Sequence, residues 1–222
     1  MVGQYALAPR LPEDPPLLLY VNCAPRKDRR TSRADNEGEG LVYGKLKNGV
    51  ELIAVNSKYS LSMVRSHVTS LRVVDVDKGG SQFRSRDNFP PVVGAVAQGL
   101  DIEPWLGDEL NPKKAIPQFK EGYIGYIDSF GNIKTTFRAS SDRFQGLKPG
   151  QEVEVDINGT EIVARVATGS FSVPEGNFAF APGSSGWDDR FWEVFQRGGN
   201  AAQSFKDPQV GARVTVMPVD SD

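Results

Sequence analysis

Disulfide scaffolds and histidine-based metal centres find little to build on in this chain of 222 residues, which holds one cysteine, Cys23, and one histidine, His67. A lone cysteine excludes an internal disulfide framework and fits a reducing compartment. His67 has no cysteine or second histidine near it, so it reads as a structural or surface residue and no metal site is expected. Charge of one sign is also missing. The 26 Lys and Arg residues against 28 Asp and Glu leave a formal charge of −2, too little to draw the chain to nucleic acid or an anionic membrane. No apolar run approaches the ~18 residues of a membrane span. The first residues lack the charged start and apolar core of a signal peptide. A soluble, cytoplasmic protein without nucleic-acid or membrane partners is expected.

With 39% hydrophobic and 24% charged residues, the chain has enough apolar surface for one large domain or two small ones. Met1 to Leu11 reads as the tail of a helix, stopped by the prolines of Pro12-Glu13-Asp14-Pro15-Pro16. Leu17 to Cys23 is a short, almost continuously apolar strand of the kind buried in an α/β sheet. Arg26-Lys27-Asp28-Arg29-Arg30, with Arg33 beyond, follows the carboxyl end of that strand. A solvated loop accounts for such a cluster, and so does a ligand loop at the end of an open sheet, where arginine stabilises an anion.

Leu41 to Val55, broken by Asn48-Gly49, predicts a hairpin with a type I′ turn. Leu61 to Ser66 reads as a short helical segment, and Leu71 to Val76 as a strand. The polar loop Gly79 to Asn88 leads into a helix over Phe89 to Leu100. There Pro90 and Pro91 suit the first turn, and Asp87 or Asn88 is placed to cap it. The loop is thereby pinned at a helix N-terminus, where anions are favoured.

Asp101 to Lys120, with three prolines and weak periodicity, reads as a connection between domains. The boundaries are then 1–102 for an α/β domain, 103–120 for the linker and 121–222 for an all-β domain. In the last, Gly122 to Phe137 is a strand, a tight turn at Ser129-Phe130-Gly131-Asn132 and a second strand. Asn158-Gly159 joins another hairpin, the turn reading outweighing a glycosylation acceptor at Asn158-Gly159-Thr160. Phe191 to Phe195 and Arg213 to Met217 add extended segments, so the second domain is expected to be an antiparallel barrel or sandwich.

Asp128-Ser129-Phe130-Gly131-Asn132, then Gly183-Ser184-Ser185-Gly186, then Arg197-Gly198-Gly199-Asn200-Ala201-Ala202 form an ordered series of motifs. The series resembles the C-terminal domain of the S-adenosyl-L-methionine hydroxide adenosyltransferases, the family that includes the chlorinases and the fluorinase. Matching segments run from about Leu17 to Val219. The family's opening strands and helices have no counterpart, so the N-terminus is read as truncated or as a divergent short form.

The resemblance implies an α/β domain followed by a β-barrel, with homotrimers that hold the ligand between the first domain of one subunit and the second of its neighbour. It implies S-adenosylmethionine (SAM) or adenosine as the small-molecule ligand, and no further cofactor. Asp128 matches the acid that binds the methionine ammonium, Asn132 an adenine contact, and Ser184 or Ser185 the methionine carboxylate site. Phe171 falls where a ring stacks on adenine. Arg197, Asn200 and Ala201 match the segment that reads the adenine edge. The chemistry suits these roles, since a carboxylate pairs with an ammonium and an amide both donates and accepts. Trp187-Asp188-Asp189-Arg190 reads as a small insertion after the serines.

Hydrolase members of the family activate water with an Asp, an Arg and a His. Here Asn22 stands in place of the aspartate, Arg29 or Arg30 matches the arginine, and Arg84 replaces the histidine in Phe83-Arg84-Ser85-Arg86-Asp87. An amide and a guanidinium cannot act as general base. Ligand binding is therefore expected to survive better than hydrolysis of SAM to adenosine and L-methionine. The alternatives are a non-catalytic binder or partner subunit and, from Ser85 alone, halide transfer. The candidate catalytic set is Asn22, Arg29, Arg84 and Ser85.

Overall fold

The computed structural model describes residues 8–23, 40–57, 59–77, 83–169, 172–186 and 189–219. The chain divides into two compact units, Met1–Phe119 and Lys120–Asp222.

The first unit is built on a mixed sheet of β1 (Leu18–Val21), β2 (Leu41–Leu46), β3 (Glu51–Val55), β4 (Val68–Val74) and β5 (Leu106–Glu109), in the order β1-β3-β2-β4-β5. Only β1 runs parallel to its neighbour, pairing Leu18 with Glu51 through Val21 with Ala54. Alternate side chains of these strands enter two separate cores. Val42, Leu52, Ala54 and Leu71 face Leu61, Val64 and Ile116, whereas Leu41, Tyr43, Ile53 and Val74 face Phe89, Val92 and Val96. A sheet covered on both faces needs apolar residues at both parities, and the runs in β2 and β3 supply them.

Helix α1 (Arg84–Asp87) leads into α2 (Pro90–Ala97). The expected Asp87 or Asn88 cap is not formed. Phe89 occupies the cap position in helical conformation, Asn88 Nδ2 donates to Asp77 O at 2.5 Å, and Asp87 accepts from Arg86. With α1 running straight into α2, the backbone never takes the extended turn that a capping side chain needs.

The expected N-terminal helix tail is also corrected where it is described. Residues 8–11 are not helical. Leu11 O accepts from Asp14 N at 3.1 Å and Asp14 Oδ2 from Leu11 N at 2.8 Å, a turn with Pro12 at its second position. The segment after β3 is a run of turns rather than an α-helix, with bonds such as Val64 N to Leu61 O.

Residues 103–119, read from composition as a connection, contribute a 3-10 turn, β5 and α3 (Pro112–Ala115) to the first unit. They are held by buried Ile116 and by Arg65, which donates to Ile116 O at 2.8 Å and to Lys113 O at 2.7 Å.

The two Asn-Gly turns differ. At Asn158-Gly159 both residues have positive φ, 54° and 79°, which is the predicted type I′ turn. At Asn48-Gly49 only Gly49 does, at 80°. Gly49 N donates to Leu46 O, and Leu46 N to Val50 O. That connection is a type I turn closed by a glycine bulge, one residue longer than predicted.

The second unit is one sheet of β6 (Ile124–Ile127), β7 (Ile133–Arg138), β8 (Glu152–Ile157), β9 (Thr160–Val166), β10 (Phe178–Pro182), β11 (Phe191–Gln196) and β12 (Val214–Pro218), in the order β12-β8-β9-β10-β11-β7-β6. All pairs are antiparallel except β9 with β10. The two edges then meet. Tyr123 bridges Arg213, and Ile124 N donates to Ala212 O at 2.9 Å and Val214 N to Gly122 O at 2.8 Å. Closure removes the free edges. Phe180 stacks on Trp192 at 4.4 Å between centroids, and Phe144 meets Phe137 and Phe180 edge-on at 4.9 and 5.3 Å. Among the described residues no helix is long and apolar enough to cross a membrane.

Candidate functional site

The turn between β6 and β7 is organised by a single carboxylate. Asp128 Oδ1 accepts from Phe130 N and Asn132 N, both at 3.0 Å, and Oδ2 accepts from Asn132 Nδ2 at 3.1 Å. The backbone closes the same loop, with Gly131 N donating to Asp128 O at 3.0 Å and Asp128 N to Asn132 O at 3.1 Å. An ionised carboxylate offers about four lone-pair sites. Three are taken within the turn, and the one left on Oδ2 faces Lys134 Nζ at 3.7 Å.

Lys134 is held more tightly from the other side, 2.5 Å from Glu193 Oε2. The two are directly opposed across β7 and β11. These side chains are only 17% exposed each, and that of Asp128 20%, so solvent screens them weakly. Gly183, just past β10, makes room for the Glu193 carboxylate. A Cβ there would lie 2.5 Å from its Cδ.

The Arg197-to-Ala202 motif meets the same turn. Asn200 caps α4 (Ala201–Ser204), its Oδ1 accepting from Gln203 N at 3.0 Å. Ala202 N donates to Gly131 O at 2.9 Å. Arg197 Nη1 donates to Val173 O at 2.8 Å. Asn132, Pro182, Glu193, Gln196 and Arg197 line a cavity of about 310 Å³.

Asp128, Asn132, Arg197, Asn200 and Ala201 are thus gathered around one corner of the barrel. Ser184 and Ser185 follow β10 beyond Pro182. Ser184 is exposed and Ser185 half-buried, its carbonyl accepting from Phe191 N at 2.9 Å. The segment after them is tied down by Asp189, which accepts from Ser140 N at 3.0 Å and Ser140 Oγ at 2.9 Å. Arg138 donates to Asp189 O at 2.9 Å. Burial lowers the Arg138 pKa, with Asp189 and Glu121 acting the other way. Phe171, Arg29 and Arg30 lie outside the described residues, as does the rest of the basic cluster from Arg26 on.

In the first unit Asn22 is exposed just past β1, and Arg84 and Ser85 open α1. The Arg84 guanidinium lies 5.3 Å over the Phe89 ring, and its Nε is buried without a hydrogen-bond partner among the described residues. A charge fixed over a ring is a plain cation–π contact. It gives Arg84 a packing role as well as a candidate chemical one.

Sequence reasoning missed Lys134 and Glu193 as site residues. Each is the only acid or base between apolar and hydroxyl neighbours in its strand core, Ile133-Lys134-Thr135 and Trp192-Glu193-Val194, and they have opposite sign. That pattern is the signal that could have found them. Among the described residues no group of three or more His, Cys, Asp or Glu is placed to hold a metal ion.

Residues 122–214 match the sequence model of the SAM hydroxide adenosyltransferase C-terminal domain. Among solved structures, the chain is similar to an uncharacterized conserved protein from Thermotoga maritima, with a TM-score of 0.67 and 23% identity over 82% of this chain and 73% of that one. It is also similar to a conserved hypothetical protein from Thermus thermophilus, with a TM-score of 0.62 and 19% identity over 98% of this chain and 80% of that one. At these identities the likeness is one of fold. No curated protein matches the chain.

Proposed function

We propose, for a chain whose C-terminal unit belongs to the SAM hydroxide adenosyltransferase family, that it binds SAM at the Asp128 corner and hydrolyses it slowly to adenosine and L-methionine. The carrying observation is the convergence of Asp128, Asn132 and the Asn200 cap beside a cavity lined by Asn132, Glu193 and Arg197. In this reading the Asp128 lone pair that the turn leaves unused takes the methionine ammonium, and the amide and backbone groups of Asn132 and the Arg197-to-Ala201 segment read adenine. Phe171 supplies the stacking ring and Ser184 or Ser185 the carboxylate contact. The reaction joins a water oxygen to the ribose C5′ carbon. The C5′–S bond breaks with its electron pair going to sulfur, and one proton leaves to solvent.

Slow turnover follows from Asn22 and Arg84, since neither side chain takes a proton from water at neutral pH. Arg29 and Arg84 are left to favour hydroxide electrostatically. A homotrimer in the cytoplasm completes the proposal. The test is incubation of the full chain with SAM and excess chloride, with adenosine, chloro-adenosine and methionine quantified by liquid chromatography and mass spectrometry. Adenosine and methionine in equal amounts support hydrolysis. SAM retained without product leaves a non-catalytic binder, the reading favoured by the packing of Arg84 on Phe89. Chloro-adenosine transfers the role to halide chemistry, and neither binding nor product sinks the proposal.

A further inference from the structure

Among the half-buried trio of Asp128, Glu193 and Lys134 beside the corner, two carboxylates share one ammonium. Lys134 Nζ stands 2.5 Å from Glu193 Oε2 and 3.7 Å from Asp128 Oδ2. At equal dielectric the shorter contact dominates, so Lys134 belongs to Glu193 and only partly neutralises Asp128. We infer that Glu193 and Lys134 are positioning residues that set the ammonium affinity of Asp128, Glu193 by holding the lysine back. The inference rests on the proposed SAM reading and deepens it, selecting ligands by the cationic amino-acid end rather than by adenosine.

The geometry makes this tunable in both directions. Without the Glu193 charge, Lys134 is released to pair with Asp128 and compete with a ligand ammonium. Without the lysine, both carboxylates face the ligand. Gly183 offers a third route that changes no charge. Its Cβ would meet Glu193 Cδ, Oε2 and Oε1 at 2.5, 2.6 and 2.8 Å, so an added methyl pushes the carboxylate off Lys134. Gly183 has no positive φ, so the backbone tolerates alanine.

The experiment is calorimetric binding of SAM, S-adenosylhomocysteine and adenosine to the full-length wild type and to Glu193→Gln, Lys134→Met and Gly183→Ala. S-adenosylhomocysteine keeps the ammonium without the sulfonium charge, and adenosine has neither. Glu193→Gln is expected to weaken both amino-acid ligands about tenfold while adenosine moves less than about twofold. Gly183→Ala is expected to follow in the same direction, and Lys134→Met to tighten the amino-acid ligands. A variant that merely loosens the barrel weakens all ligands together, so an unchanged ratio of S-adenosylhomocysteine to adenosine across the variants overturns the inference while the SAM reading stands. A wild type that binds none of the ligands removes both.

Discussion

Gly131 and Asn200, from motifs far apart in the chain, are packed so closely that a Cβ on Gly131 would overlap the Asn200 side-chain amide. Gly131 also has φ of +80°, a region that side chains with a Cβ occupy only under strain. Gly131→Ala therefore meets two costs, the positive φ and a collision with the residue that caps α4. A loss of about 3 kcal/mol in the C-terminal unit is expected from conformation and overpacking together. Thermal unfolding followed by circular dichroism measures it, and a shift near zero refutes the contact.

Asp128 serves the turn and, in the proposed function, the ligand, and these roles separate by substitution. Asp128→Asn keeps an oxygen to accept from Phe130 N and Asn132 N, so stability is expected to fall by no more than about 1 kcal/mol. Asp128→Ala strands those donors and is expected to cost about 2–3 kcal/mol. Both lose the charge, so SAM binding falls at least about tenfold in each. If Asp128→Asn binds SAM as wild type does, the carboxylate is only a turn residue.

Phe180 is fully buried, stacks on Trp192 and meets Phe144 edge-on. Phe180→Ala removes the centre of that cluster and is expected to cost about 3–5 kcal/mol. The tryptophan fluorescence midpoint in urea reports it directly.

Much of this architecture was legible because short-range chemistry decided it. Asn158-Gly159 has the residues a type I′ turn demands, and β8 and β9 leave it no slack. Asn48-Gly49 carries the same dipeptide yet forms a bulged turn, because register with both β1 and β4 is set by residues distant in sequence. The elements within 103–119, read as a connection, were hidden for the same reason. The prolines there are real, but Ile116 finds a core that only the folded unit contains. Barrel closure through Tyr123 and Arg213, and the opposition of Lys134 and Glu193, are likewise relations between strands. A lone charge within one strand marks a candidate but does not name its partner, so Asp128 and Asn132, joined within one turn, stood out in the sequence whereas the pairing of Glu193 with Lys134 did not.

Tyr43 gives the first unit a dependence on alkaline pH. Tyr43 is buried and its hydroxyl donates to Glu51 Oε1. Burial first, then that hydrogen bond and the Glu51 charge, raise its pKa well above the ordinary phenol value. The unfolded chain ionises near pH ~10 while the folded unit keeps its proton. Stabilisation is thus whole below that pH and is lost as pH rises toward and through the folded value. Wild type is expected to lose up to about 1.4 kcal/mol per pH unit more than Tyr43→Phe above pH ~10. Tyr20, pushed upward by burial as well, is present in both proteins and drops out of the difference. Parallel urea titrations at several pH values make the comparison, and equal slopes refute it.

The sharpest test of the catalytic reading is a gain of activity. Asn22 and Arg84 stand where the resemblance places an aspartate and a histidine, and neither can accept a proton from water. A histidine has a pKa near ~6.5 and exchanges protons in the neutral range, and an aspartate beside water orients it and favours the departing proton. Asn22→Asp with Arg84→His is therefore expected to raise adenosine formation from SAM by about 10²-fold, the low end of general-base contributions. The rate should rise with pH through the histidine pKa and then level off, whereas a wild type that relies on hydroxide keeps rising. Arg84→Ala separates the chemistry from the packing on Phe89, since it removes the same guanidinium without supplying a base. If Arg84→Ala accelerates turnover as much as the double variant, relief of the buried charge is the cause and the general-base argument fails.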